Sequence, residues 1–324
     1  MKFTMEKLVA GLSLCLLPIA PYAAEHPYPS RPIRIIVPFA PGAATDIISR
    51  VLAQKMTETW GQQVVVDNRG GAGGNIGMGL AANAAGDGYT ILFVSSSYMV
   101  NPGLYRKIPY DPFKSFIPVS NLSASPHVFF AHPSVPAKSL ADLIQVVKKD
   151  PKKYSIATPG IGTVPHLAAY LFAIEAKLDI VTVPYGGGGP SLVAVLGNQV
   201  SIGCQAIPPV TPHLQAGRLR AFALTAAKRS PVAPDVPTMA EVGFKGQESE
   251  TITGVLVPAG TPDAVVKKLF AEMSRGMHLP DVTQRVLDMG ADVLVSTPQQ
   301  FAAQIKEEVE KWTRVIKAAN IRVE

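Results

Sequence analysis

Apolar residues along the chain fall into short runs rich in β-branched side chains, and these runs alternate with stretches whose apolar positions recur at helical spacing. Nine runs read as strands: PIRIIVPF, QQVVVDN, YTILFVSSS, HVFFAHPS, KYSIATPG, IVTVPYGG, QVSIGCQA, RLRAFALTA and GVLVPAG. Strands that alternate with helices predict an α/β protein with mainly parallel sheets, because parallel neighbours need a crossover long enough to hold a helix. Helix starts are marked as well. Thr261-Pro262 and Thr297-Pro298 each set a capping hydroxyl before a proline at the first helical position. After the second, Gln300 completes a capping box, and Phe301, Ile305, Val309, Trp312 and Ile316 form one apolar stripe. The spacing predicts a long C-terminal docking helix whose aromatic residues belong to the core.

Where the strand runs end, bends rich in glycine, serine and threonine recur. They are APGAATD (40–46), GGAGGN (70–75), SSS (95–97), TPGIGT (158–163) and GGGGP (186–190). In open α/β sheets that edge is where ligands bind, and helix N-termini there present unpaired amides that carry about half a positive charge. A single such bend is explained by turn formation alone, since glycine adopts positive φ without strain. Five on one presumed edge point to a binding cleft for an anion.

Composition places the chain among ordinary globular proteins: 324 residues, 47% apolar and 17% charged, long enough for two domains. The net charge of +6 is scattered, with no basic stripe interleaved with aromatics, so a nucleic-acid partner is not expected. Residues 1–24 read as a secretory signal peptide: Lys2 and Lys7, an apolar stretch from Leu8 to Ile19, then a Pro/Ala-rich end. The stretch is too short for a membrane anchor. Tyr22 is large for a cleavage motif ending at Ala24, and Leu12-Ser13-Leu14-Cys15 is rejected as a lipoprotein box because Cys15 lies inside the apolar run. Export leaves Cys204 alone, so no internal disulfide is expected, and the location expected is periplasmic.

Searches for catalytic constellations fail. There is no HExxH, no G-x-S-x-G and no Walker loop, and the six histidines (His26, His127, His132, His166, His213, His278) show no metal-ligand spacing. Gly77-x-Gly79-x-x-Ala82 matches a loose dinucleotide fingerprint, but it does not directly follow a strand as that motif requires. No metal and no cofactor are expected.

Longer segments carry a family resemblance. YPSRPIRIIVPFAPGAATD, VVVDNRGGAGGNIG, NPGLYRKIPYDPFKSF, HPSVPAKSLADLI, VPYGGGGPSLVAVLGNQV and RSPVAPDVPTMAEVGF before VPAGTP are similar, in order, to the periplasmic solute-binding receptors of tripartite tricarboxylate transporters, the Bug family. The likeness runs from Tyr28 to the end. It implies a two-lobed, periplasmic-binding-protein-like fold that closes on a small carboxylate and delivers it to membrane permease subunits, without enzymatic turnover. It further implies that Ala43, Ala44 and Thr45 form a carboxylate-holding loop with Asp46 in the first helical turn. Ser95, Ser96 and Ser97 are implied to supply hydroxyls. In the second lobe, Gly162, Thr163 and His166 resemble the family's ligand-facing helix start, and Tyr185 and Gly187 its glycine-rich segment. His166 reads equally well as a structural histidine.

Departures from the family pattern fall at Ala43, where a second glycine is usual, at Ile252, where tryptophan is common, and at Ser201, Cys204 and Gln205, where acidic and Phe-Asp residues are frequent. With Gln205 and Ile252 counted among the ligand-facing residues, losing an indole and a carboxylate shifts the expected ligand toward a bulky dicarboxylate, aromatic ones such as terephthalate included, and away from an amino acid. The lobes are expected at 25–124 with 229–324 and at 125–228, with SNLSASPHVFFA and LRAFALTAAKRS as hinges, and the receptor is expected to be a monomer. Two other classes remain open at this point. One is a sensory component that hands its ligand to a signalling kinase. The other is an exported hydrolase or isomerase, for which no nucleophile or acid–base pair is found.

Overall fold

The computed structural model describes residues 28–318; the expected signal peptide lies outside them. The elements are β1 (Ile33–Val37), α1 (Ala44–Trp60), β2 (Val64–Asn68), α2 (Asn75–Ala82), β3 (Thr90–Val94), α3 (Ser97–Leu104), β4 (Phe116–Ala131), α4 (Leu140–Lys149), β5 (Ser155–Thr158) and α5 (Val164–Glu175). They continue with β6 (Val181–Pro184), α6 (Gly188–Leu196), β7 (Ile202–Ala206), α7 (Thr211–Gln215), β8 (Arg220–Leu224), β9 (Glu250–Pro258), α8 (Asp263–Met277), α9 (Pro280–Asp288), β10 (Asp292–Val293) and α10 (Pro298–Ala318).

The strands pair in the order β2-β1-β3-β9-β4-β7-β5-β6, with β8 and β10 also on β4. Pairing is parallel among β2, β1 and β3 and among β6, β5 and β7, as strand–helix alternation predicts. Antiparallel pairs join the two groups through β9 and the 16-residue β4. Phe116 to Pro126 of β4 lie against β9, and His127 to Ala131 lie against β7 and β8, so one strand serves both lobes.

Each lobe buries helices on both sheet faces, because successive strand residues point to opposite sides. In the first, Ile35, Phe93 and Val255 pack with Leu52 and Leu269, while Ile36, Leu92 and Leu256 pack with Met78 and Phe301. In the second, Phe129 and Ile156 meet Phe172, while Val128, Phe130 and Ala157 meet Val195. The stripe Phe301, Ile305, Val309, Trp312 and Ile316 of α10 is buried as its spacing predicts. Its far end reaches Val164 and Leu167 of α5, in the other lobe.

The capping box before α10 is formed: the Thr297 amide donates to Gln300 Oε1 at 2.8 Å, and the Gln300 amide to Thr297 Oγ1 at 3.2 Å. Thr261 does not act as predicted. Helix α8 begins at Asp263, and the Thr261 hydroxyl turns back to donate to the Pro258 carbonyl at 2.7 Å.

Candidate functional site

Four helices begin at the seam between the lobes. The first lobe supplies the starts of α1 and α3, each at the end of a parallel strand, and the second supplies α5 and α6. The turn from β1 into α1 needs a positive φ of 87° at Gly42, which leaves Ala43 extended as an N-cap with no side-chain cap. The first amides of α1 therefore have neither an intrahelical nor a side-chain acceptor.

Asp46 holds this turn from behind. It is buried, and its carboxylate accepts from the Gly42 amide at 2.9 Å, from Asn68 Nδ2 at 2.9 Å and from Arg50 Nε at 3.1 Å. The three serines at the end of β3 are buried too. Ser95 and Ser97 share a hydrogen bond of 2.9 Å, while Ser96 donates to the Glu250 carbonyl at 2.8 Å and accepts from the Ile252 amide at 3.0 Å. Ser96 thus ties the serine bend to β9.

In the second lobe Gly160 and Gly162 take positive φ, and the Thr163 hydroxyl donates to the Gly160 carbonyl at 2.7 Å. His166, one turn on, shares a hydrogen bond of 2.9 Å with Thr158 Oγ1, and burial lowers its pKa. Gly187 precedes α6 with a φ of 154°; a Cβ there would come within 3.0 Å of the Ala40 amide.

These four helix starts line one cavity open to the cleft between the lobes. Ala43, Ala44, Thr45, Ser95, Ser96, Ser97, Thr163 and Gln205, all predicted, line it. Asp46, Gly162, His166, Tyr185, Gly187 and Ile252 do not. Asp46 and His166 brace its bends, Gly162 and Gly187 shape the turns, Tyr185 borders a neighbouring cleft at the rim, and Ile252 borders a separate cleft behind Ser96. Sequence reasoning missed Phe39, Pro159, Val164, Pro165, Ala206, Pro209 and Thr251, while Gly188 belongs to the glycine-rich segment Gly186 to Gly189 already placed near the cleft. Three of these, Phe39, Pro159 and Val164, adjoin or fall inside bends singled out above, so their signal was present. Thr251 comes from β9, where the buried His127 holds its hydroxyl at 2.9 Å.

None of the lining residues is charged. Gln205 is 1% exposed, and neither its Oε1 nor its Nε2 reaches a protein partner. Among the described residues no group of three histidine, cysteine, aspartate or glutamate side chains is placed to hold a metal ion.

A cavity ringed by helix N-termini, with hydroxyls and one free amide, can hold an anion. Comparison with known proteins agrees. The tripartite tricarboxylate transporter family receptor matches residues 48–321. The chain belongs to this receptor family. The receptor is 34% identical to Protein BugT of Bordetella pertussis over the full length of both chains. Among solved structures it is similar to MatC of Rhodopseudomonas palustris with bound malate, at 34% identity and a TM-score of 0.84, covering 89% of this chain and 100% of that one. It is also similar to R. palustris Rpa4515 with adipate, at 32% identity and a TM-score of 0.87, covering 91% and 100%. The receptor is a solute-binding protein of this family and not an enzyme.

Proposed function

We propose that the receptor captures a small dicarboxylate between its lobes and delivers it to the membrane permease of a tripartite tricarboxylate-type transporter. The observation that carries this reading is the convergence of four helix N-termini, two from each lobe, on a cavity lined by no charged side chain. Each N-terminus favours negative charge, by about 0.3–1 kcal/mol at exposed sites and more where water is excluded. Two poles of positive potential facing each other across a cleft suit an anion with a carboxylate at each end. The malate and adipate bound by its relatives are of that kind.

Direct contact with the carboxylates falls to the amides of Ala44 and Thr45 and to Ser95, Ser97 and Gln205, with Asp46, Thr163 and His166 holding the bends in place. Separate cores support two lobes, and β4 is the strand about which the lobes would turn. Ala233 and Met239 pack in the second-lobe cores, so the return crossing lies nearer the start of β9 than the expected limit at 229 between 125–228 and 229–324. Family membership and the signal-like N-terminus support a periplasmic receptor working with membrane-bound subunits, and the receptor is proposed to act as a monomer.

A thermal-shift screen with mono-, di- and tricarboxylates tests the reading. At a hundredfold excess over the dissociation constant, a ligand adds about 2.7 kcal/mol of stability. Stabilisation is expected from dicarboxylates, with loss of cellular uptake on gene deletion. A receptor stabilised only by uncharged or cationic solutes would refute it.

A further inference from the structure

We infer that Gln205 makes the site selective for a carboxylate bearing a hydroxyl beside its charged group, and against the counterpart bearing an ammonium. The inference rests on reading the cavity as a carboxylate site and deepens it.

Gln205 lies on β7, where the alternate residue Cys204 points into the second-lobe core and Gln205 faces the cavity. Across from it Gly188 has no side chain; a Cβ there would come 3.4 Å from Gln205 Oε1. Both ends of this buried amide lack a protein partner. An unpaired donor or acceptor in the interior carries its full desolvation cost, so a fully buried amide idle at both ends is explained by a partner that arrives with the ligand. Exchanging oxygen and nitrogen does not alter the argument, since either orientation offers one donor and one acceptor.

The other polar groups around the cavity decide what that partner is. Helix-start amides only donate. The Ser96 hydroxyl donates to Glu250 and accepts from Ile252, those of Ser95 and Ser97 share a hydrogen bond, that of Thr163 donates to Gly160, that of Thr251 is shared with His127, and that of Thr45 at the α1 start can donate to a carboxylate. Among the lining side chains, Gln205 Oε1 is thus the one carbonyl acceptor, and it is idle. A plain carboxylate takes the donor end and leaves this oxygen unpaired. A ligand with a hydroxyl beside its carboxylate satisfies both ends at once. An ammonium could also donate there, but it would enter a cavity with no lining carboxylate, ringed by the positive ends of four helices, where an uncompensated cation is strongly disfavoured.

The test is titration calorimetry with matched trios of one carbon length: succinate, malate and aspartate; glutarate, 2-hydroxyglutarate and glutamate; adipate, 2-hydroxyadipate and 2-aminoadipate, with both enantiomers. For the trio whose length fits, the hydroxy acid is expected to bind about tenfold more tightly than the parent diacid, and the amino acid more weakly than either. Gln205→Met, which keeps length and apolar volume, should bring hydroxy acid and parent to within about threefold while the parent still binds. Gln205→Glu should raise the affinity for the amino acid relative to the hydroxy acid by about tenfold. Parent and hydroxy acid binding equally well to the wild-type protein, or a preference that Gln205→Met leaves intact, would overturn the inference while the carboxylate reading stands. Failure of every diacid, parents included, would overturn both.

Discussion

Gly189, in the first turn of α6, lies so close beneath Pro41 of the opposite lobe that a Cβ there would stand 2.2 Å from the Pro41 carbonyl oxygen. Beside it the Ala40 amide donates to the Gly186 carbonyl at 3.3 Å, and Tyr105 Oη donates to the Ile161 carbonyl at 3.2 Å. The lobes meet at the rim largely as backbone on backbone, an approach that a side chain at Gly189 would prevent. Alanine is otherwise welcome within a helix, being favoured over glycine by up to about 1 kcal/mol in helix interiors. Gly189→Ala is therefore expected to leave the melting temperature of the ligand-free protein unchanged or slightly higher. Its ligand affinity should fall by at least about tenfold, a penalty of about 1.4 kcal/mol or more. Calorimetry together with small-angle scattering, which reports whether the lobes still close on ligand, checks this; normal affinity would mean that closure does not require the contact.

The helix-start amides of α1 make a second prediction. Thr45→Ala removes a hydroxyl but no amide, so it should cost about 1 kcal/mol of binding. Ala44→Asp is different in kind. A carboxylate at the first position of a helix favours folding through the helix dipole, yet here it faces the same cavity as the bound anion, where repulsion is several-fold stronger than in water. Binding should be lost with little change in the melting temperature of the empty protein. Near-normal affinity in folded Ala44→Asp protein would place the anion elsewhere.

The sequence exposes these bends because glycine, serine and threonine are what a turn over an anion requires, and all nine predicted strands lie within or overlap the observed ones. The first half of β4 escaped because its polar residues conceal the alternation. Ser120, Asn121 and Ser125 are buried, and their partners are remote in sequence: Ser120 donates to the Ser296 carbonyl, Asn121 to Gln304 and Ser125 to the Thr251 carbonyl. A segment read as a hinge is thus a continuous strand. Thr251 and Pro209 reach the cavity in the same way, through contacts between distant segments that no local pattern records.

His127 gives a pH prediction. Its ring is fully buried between Ser249 Oγ at 3.1 Å and Thr251 Oγ1 at 2.9 Å, and burial lowers its pKa from 6.5 to about 3. Above pH 6.5 the imidazole is neutral in both folded and unfolded chains and adds no pH dependence. Below that the unfolded chain takes up a proton that the native chain refuses until about pH 3, so stability falls as pH falls through this window, by up to about 1.4 kcal/mol per pH unit. Burial of His166 acts in the same direction. Urea unfolding at pH 7 and pH 5 should show the loss in the wild-type protein and a shallower one in His127→Gln, which keeps a polar side chain near both hydroxyls. Equal slopes would count against it.

Asp46 separates a residue that touches ligand from one that builds the place where ligand sits. Its carboxylate takes the Gly42 amide and Asn68 in charge-assisted hydrogen bonds and pairs with Arg50, all on the side of the turn away from the cavity lining. Removing it in Asp46→Ala leaves the Gly42 amide and the Asn68 amide nitrogen without this acceptor, and it frees the turn that aims the Ala44 and Thr45 amides. Charge-assisted hydrogen bonds are worth about 1.5–3 kcal/mol each, so Asp46→Ala should lower folding stability by about 2–4 kcal/mol and weaken binding through disorder of the loop. Asp46→Asn keeps the shape and one acceptor oxygen, and should recover part of both. The two properties should therefore fall together along the Asp46 series, whereas in Ala44→Asp binding falls alone. Paired denaturation and calorimetry on both variants decide the matter: a large affinity loss in Asp46→Asn with unchanged stability would show that the carboxylate contacts the ligand after all.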